Sequence, residues 1–308
     1  MNYHYIKNLI KNCMVNKFQI ISELKKIEAN YKAFIIDIWG VLWDGLEPYE
    51  NSIITLKKLV SLNKPIILLS NAPRRSKVVS KRLKDIGIDY DCYDTIISSG
   101  EICRIKFLEN KNKIEKYGST YYFIGQPGDK TITELLPISE TKNMDQANFL
   151  LVCGTRNFED ELDKYKNELD MALSHNLPLI CANPDKVVIR KTGELLICAG
   201  IMADYYNSKG GVVYKFGKPF KDTYELCINY FVSKNPNIKK SDLLCIGDAL
   251  ETDIAGANNF GIDSLLIANG IHKKDLNYNK LLLSEIELKS FFKSQNIFPN
   301  YISQNFIF

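Results

Sequence analysis

Phe34-Ile35-Ile36 runs without a polar residue into Asp37, and the chain then passes through Gly40. A run that is apolar on both of its faces belongs to a strand buried between two layers, not to one that faces water. The same form returns in Pro65-Ile66-Ile67-Leu68-Leu69, which ends on Ser70-Asn71, and in Thr95-Ile96-Ile97, which ends on Ser98-Ser99. It returns again in Leu243-Leu244-Cys245-Ile246, which ends on Gly247-Asp248. Between these runs lie stretches with helical spacing: Ser52 to Leu62, Ser76 to Ile86 with Gly87 as its stop, Thr223 to Phe231, and Asp253 to Asn258. Buried strands alternating with helices predict an α/β fold, a mainly parallel Rossmann-like sheet covered on both faces.

Ile20, Ile21, Leu24 and Ile27 predict a further helix ahead of the first strand. In the middle of the chain, Tyr121 to Ile124, Asn148 to Cys153 and Leu179 to Ala182 read as strands around a helix from Leu162 to Leu173. A second α/β layer is therefore expected there. Val213-Tyr214-Lys215-Phe216 and Ser264 to Ile267 read as later strands of the first layer.

The 308 residues are 45% hydrophobic and 25% charged, enough for two packed domains and too apolar for long disorder. A formal charge of +4 is too mild to point to nucleic acid, and the lysine clusters (Lys111, Lys113 and Lys116; Lys239 and Lys240; Lys273 and Lys274) read as solvated faces. Lys7, Lys11 and Lys17 interrupt any signal-peptide core, and no apolar run is long enough to span a membrane. Eight scattered cysteines, none in a C-x-x-C pair, read as small buried hydrophobes in a reducing compartment. A cytoplasmic protein with no membrane or nucleic-acid partner is expected. His4, His175 and His272 fall in no ligand cluster.

The polar residues that close the runs make one chemical set. Asp37 is a nucleophile at the carboxyl edge of a sheet. Ser70 and Asn71 offer a hydroxyl and an amide to the oxygens of a phosphoryl group, and Lys218 in Phe216-Gly217-Lys218-Pro219 offers a charge that screens nucleophile from phosphate. Asp248 and Asp253 straddle a turn into a helix. Three carboxylates at one edge repel unless a cation joins them, and oxygen ligands beside phosphate favour Mg2+.

Asp37, Ser70-Asn71, Lys218 and Gly247-Asp248…Asp253, in that order over roughly residues 30–270, resemble the four motifs of the haloacid dehalogenase superfamily of aspartate-nucleophile hydrolases. Asn183-Pro184-Asp185, Gly200, Gly210-Gly211 and Gly217-Lys218-Pro219 are similar to its class IIA branch, whose cap lies between the second and third motifs. The 148 positions from Ser70 to Lys218 leave room for that cap, whereas the 33 from Asp37 to Ser70 leave room for no helical cap. The form D-x-W-G-V-L-x-D-G at Asp37 resembles one subgroup of the branch. The resemblance implies a core of residues 1–100 and 209–308, a cap of 101–208, and Mg2+ on Asp37, Asp248, Asp253 and the Trp39 carbonyl. The implied activity is hydrolysis of a small phosphorylated metabolite through an aspartyl-phosphate, with Asn183 and Asp185 as cap residues that either form a turn or face the substrate.

Trp39 departs from the pattern, since the superfamily's phosphatases usually carry a second aspartate there as general acid and base. Its loss costs the departure of a poor alkoxide about 100- to 10,000-fold unless another carboxylate serves. Asp44, followed by Gly45, reads as a turn in the flap and is one such carboxylate. The competing expectation is a catalytically weak protein that binds a phosphorylated metabolite in the same pocket. The aromatic tail 291–308 is expected to pack on the core or to form a contact between copies in a homo-oligomer.

Overall fold

The structure, a computed structural model, describes residues 18–109, 118–190, 192–278 and 281–308. Seven parallel strands make the larger sheet, in the order Gln19–Ile20, Tyr301–Ser303, Asp263–Ile267, Leu243–Gly247, Ala33–Asp37, Ile66–Ser70, Thr95–Ser98. Alternation along the three central strands fills both faces. Phe34, Ile36, Ile66, Leu68, Leu244 and Ile246 enter one hydrophobic cluster, while Ala33, Ile35, Ile67, Leu69, Leu243 and Cys245 enter the other. That double burial is why these strands read as unbroken apolar runs.

Ala33–Asp37 lies between Leu243–Gly247 and Ile66–Ser70, the place where the strand order changes direction. Open α/β sheets keep their crevice at such a switch point, outside the carboxyl ends of the strands. Register completes the placement, since Ile36 pairs with both Ile246 and Leu68, and Asp37 pairs with Leu69. Asp37, Ser70 and Asp248 therefore leave the sheet at one edge.

A second, five-stranded parallel sheet runs Val213–Lys215, Leu179–Cys181, Phe149–Val152, Thr120–Ile124, Ser139–Thr141. Helices Asp163–Ser174 and Ala199–Ser208 cover one of its faces through Tyr165, Leu169, Met202 and Tyr206. Helix Ser99–Glu109 contributes Cys103 and Phe107 to the other. An antiparallel hairpin, Val187–Ile189 with Leu195–Ile197, extends from this inserted layer.

Three expectations need correction. No helix spans residues 20–31; a two-residue strand is followed by 3-10 turns Leu24–Lys26 and Glu28–Asn30. The buried positions Ile21, Leu24 and Ile27 recur every third residue, which is the 3-10 period. Val213–Lys215 belongs to the second sheet, not to a core starting at residue 209, because the turn at Gly210-Gly211 returns the chain alongside Leu179–Cys181. The helix expected from Asp253 begins earlier, as a π-turn over Leu250–Ile254, and becomes α-helical at Ala255–Phe260.

The tail contributes Tyr301–Ser303 to the core sheet and buries Phe292 and Phe306. Seven cysteines are free and buried. Cys13, His4, Lys7, Lys11, Lys17, Lys111, Lys113 and Lys116 lie outside the described residues. Among the described residues no helix is long and apolar enough to cross a membrane.

Candidate active site

Asp37, Asp248 and Asp253 converge so that one carboxylate oxygen from each lies within 4.8 Å of the others, and all three side chains are buried. Lys218 stands among them. Its ammonium donates to Asp37 Oδ1, to Asp253 Oδ1 at 2.6 Å and to the Leu69 carbonyl at 3.3 Å, so its three N–H groups all have partners. Burial works against the charged lysine, yet Asp253 and Asp37 outweigh it and raise its pKa.

Backbone amides fix the remaining oxygens. Asp253 Oδ2 accepts from Ala249 N at 3.1 Å, across the π-turn that aims this side chain inward, and Asp248 Oδ2 accepts from Ile271 N at 2.7 Å. Among the described residues Asp37 Oδ2 and Asp248 Oδ1 have no hydrogen-bond partner. Gly40, at φ +85°, lets the flap press against this cluster, because a Cβ there would lie 2.0 Å from Asp248 Oδ2.

Three buried carboxylates against one ammonium leave a surplus of negative charge. Burial pushes the Asp37 carboxyl well above the usual range and that of Asp248 up to about 8, in each case with neighbouring carboxylates adding to the shift. An all-oxygen donor set with uncompensated charge fits a hard divalent cation.

Ser70 is buried with its Oγ accepting from Ala72 N at 3.2 Å, which leaves the hydroxyl proton available to a ligand. Asn71 departs from expectation. Its Oδ1 accepts from Lys218 N at 2.7 Å, while Nδ2 donates to Lys218 O at 3.2 Å and Asp185 Oδ1 at 2.7 Å. Both ends of the amide are committed within the protein, so this side chain clamps the lysine loop and does not point to a phosphoryl oxygen.

Asn183 and Asp185 face the same cavity as the carboxylate cluster. Asn183 is also a turn residue, since its Oδ1 accepts from Asp185 N at 3.1 Å. Asp44 is excluded from proton transfer at this site: its Oδ1 accepts from Leu46 N and Glu47 N at 2.8 and 2.7 Å, and it does not line the cavity.

Trp39 reaches in a direction that sequence alone did not reveal. Its Nε1 donates to the Ile189 carbonyl of the inserted hairpin at 2.9 Å, its ring meets Trp43 edge-on at 5.6 Å, and it lies so close over Gly45 that a Cβ there would be 2.2 Å away. The cavity above the carboxylates holds about 440 Å³. Trp39, Trp43, Val79, Phe158, Val187 and Ile189 give it a largely apolar wall.

Further residues join the two layers around this cavity. Arg74 donates through Nε to Asp129 at 2.6 Å and through Nη2 to Gln126 at 3.0 Å, and Lys186 pairs with Glu251 at 3.4 Å. Sequence reasoning missed these ties. Arg74 follows Ser70-Asn71 closely, but nothing local to Ile189 or Lys186 announces a partner on the other sheet.

Residues 34–168 match a family model described as haloacid dehalogenase-like hydrolase, and residues 215–282 match a second, HAD-hydrolase-like model. The acid sugar phosphatase of Staphylococcus haemolyticus is 22% identical over 281 residues, covering 90% of this chain and 98% of that protein. The 4-nitrophenylphosphatase of Schizosaccharomyces pombe is 24% identical over 283 residues, covering 85% and 92%. Among solved structures, a hydrolase of the haloacid dehalogenase-like family from Brucella suis superposes with a TM-score of 0.79 at 28% identity, over 93% of this chain and 100% of that one. A possible sugar phosphatase from Cytophaga hutchinsonii shares the fold with a TM-score of 0.77 at 23% identity, over 94% and 98%. With the matched models falling on the segments that carry Asp37, Ser70, Lys218, Asp248 and Asp253, the chain belongs to the haloacid dehalogenase-like hydrolases.

Proposed function

We propose that the chain hydrolyses phosphate monoesters of small metabolites at Asp37. The observation that carries this reading is the buried convergence of Asp37, Lys218, Asp248 and Asp253 beneath a cavity of about 440 Å³. Relatives named as sugar phosphatases and nitrophenylphosphatases support the same class of substrate.

Asp37 Oδ2 is the oxygen placed to attack phosphorus, because Oδ1 is held by Lys218. Attack forms the aspartyl-phosphate as the ester P–O bond breaks, and water later displaces phosphate from Asp37. Lys218 stays charged and screens the nucleophile from the phosphoryl oxygens. The Ser70 hydroxyl donates to one of those oxygens, while Asn71 holds the lysine loop in place. Asp37, Asp248, Asp253 and the Trp39 carbonyl would hold Mg2+, which when bound supplies positive charge to the phosphoryl group. The inserted layer from Thr120 to Lys215, with its hairpin over the cavity, acts as the cap that selects the leaving group. This activity belongs in the cytoplasm, where the unpaired buried cysteines stay reduced.

The test is a set of phosphorylated metabolites incubated with Mg2+ and scored for released phosphate, with Asp37→Asn alongside. Release that needs both Mg2+ and Asp37 supports the reading. Binding of these compounds with no turnover in the parent protein would replace it with a sensor of phosphorylated metabolites.

A further inference from the structure

Position 39 supplies no acid, yet the alkoxide of a sugar phosphate needs a proton as it leaves. Among the described residues, five carboxylates line the cavity: Asp37, Asp129, Asp185, Asp248 and Asp253. Three of them form the metal-type cluster. Asp129 is consumed, with Oδ1 accepting from Arg74 Nε at 2.6 Å and Oδ2 from Gln126 N at 3.0 Å. Asp185 is different. Its Oδ1 accepts from Asn71 Nδ2 at 2.7 Å, and among the described residues its Oδ2 has neither a hydrogen bond nor an ion pair.

We propose that Asp185 is the proton donor to the leaving group, a catalytic residue supplied by the inserted layer in place of the one absent at Trp39. The proposal rests on the phosphate-monoester reading of the site. Asp185 is held firmly enough for the role: its N–H donates to Asn183 Oδ1 at 3.1 Å and its carbonyl accepts from Gly200 N at 2.9 Å. Gly200 makes that approach, since a Cβ there would lie 2.4 Å from the Asp185 carbonyl. Through Asn71, Asp185 is one amide away from Lys218, which places it beside the nucleophile cluster and outside it.

Its surroundings raise the carboxyl above the ordinary range, so that it exchanges a proton more readily near neutrality than a free aspartate. Burial pushes it up, Lys218 and the Asn71 amide pull it down, Asp253 pushes it up again, and the net result is about 6. In the first step Asp37 Oδ2 bonds to phosphorus, the ester P–O bond breaks with its electron pair on the alkoxide, and the Asp185 Oδ2 proton passes to that oxygen. In the second, the Asp185 carboxylate takes a proton from water as the water oxygen bonds to phosphorus, and the Asp37–phosphorus bond breaks with its pair returning to Asp37. The net products are alcohol and phosphate, with Asp185 protonated again.

The experiment compares an alkyl phosphate, glycerol 3-phosphate, with 2,4-dinitrophenyl phosphate, whose phenolate leaves without a proton. The rates compared are those of the first step, formation of the phosphoryl-enzyme in a single turnover, because Asp185 also serves the second step, which both esters share. Asp185→Asn keeps an acceptor oxygen for Asn71 and removes the proton donor. It is expected to lose about 100-fold or more on the alkyl ester, to keep most of its rate on the dinitrophenyl ester, and to regain alkyl turnover in part as Asp185→Glu. Equal losses on both esters would mean that Asp185 only positions Asn71, and no loss on either would remove it from the reaction; both overturn the proposal while leaving Asp37 chemistry intact. Absence of turnover of the dinitrophenyl ester by the parent protein would instead remove the phosphatase reading, and the proposal with it.

Discussion

The floor and the roof of the cavity are built on opposite terms. The floor is the carboxyl edge of the large sheet, where three carboxylates and a lysine are buried and held by Leu69 O, Ala249 N and Ile271 N. The roof is the segment from Asn183 to Ile197, largely apolar toward the cavity and attached to the floor by side-chain ties: Asp185 to Asn71, Lys186 to Glu251, Ile189 O to Trp39. A floor of fixed charges specifies which bond can break. On the proposed reading, a roof tied at a few points governs what is attached to that bond, and all of it but Asp185 can be rebuilt without touching the chemistry below.

The sharpest way to break this division is at the nucleophile. Asp37→Asn is expected to abolish turnover and any covalent phosphoryl-enzyme trapped by acid quench; substantial residual phosphatase activity would refute the mechanism. Next in size is Lys218→Met, which strips the cluster of the buried ammonium between Asp37 and Asp253 and leaves those two carboxylates facing each other. Loss of one partner in a buried ion pair costs about 3–5 kcal/mol. The urea midpoint should fall accordingly in Mg2+-free buffer and recover in part on adding Mg2+. Recovery separates a site that needs positive charge from one that needs this lysine's shape.

A third experiment asks whether floor and roof can exchange a function. In the Asp185→Asn background, Trp39→Asp puts a carboxylate where related phosphatases carry one and should return part of the lost alkyl phosphate turnover, by about 10- to 100-fold out of the range that acid–base catalysis provides. Rate plotted against leaving-group pKa for the single and double variants would show it as a flattened slope. An unchanged slope would mean that the indole's place is out of reach of the leaving oxygen. The smallest effect is expected from Trp39→Phe, which keeps a ring over Gly45 and removes the donor to Ile189 O. One such hydrogen bond is worth about 1 kcal/mol, read as a modest rise in KM with little change in kcat.

The floor was largely legible in the sequence. Phe34 to Asp37, Ile66 to Ser70 and Leu243 to Asp248 each show their burial as an apolar run and their polar end as a candidate group, and parallel pairing then brings those ends together. The roof was not legible for the same reason in reverse. Ile189 meets Trp39 across 150 positions through a backbone carbonyl, which carries no residue identity. Asn71 read as a phosphate ligand because its amide can serve either a phosphate or a loop, and only the position of Lys218 N decides between them. The N-terminal segment read as a helix because Ile21, Leu24 and Ile27 satisfy an i, i+3 pattern that the 3-10 turn shares. Val213–Lys215 had the composition of a strand in either sheet, and its neighbour is chosen by the turn at Gly210-Gly211.

The protein has two tryptophans, and both stand at the boundary between floor and roof. Trp43 lies beneath the Arg82 guanidinium, 5.6 Å from its ring, while Trp39 spends its indole N–H on the roof itself. Excited near 295 nm, the chain therefore emits only from the mouth of its own cavity. Parting of the hairpin from the flap would replace a carbonyl by water at one indole and shift its spectrum to the red. Opening of the cavity is thus reported by the unlabelled protein, with no background from the rest of the fold.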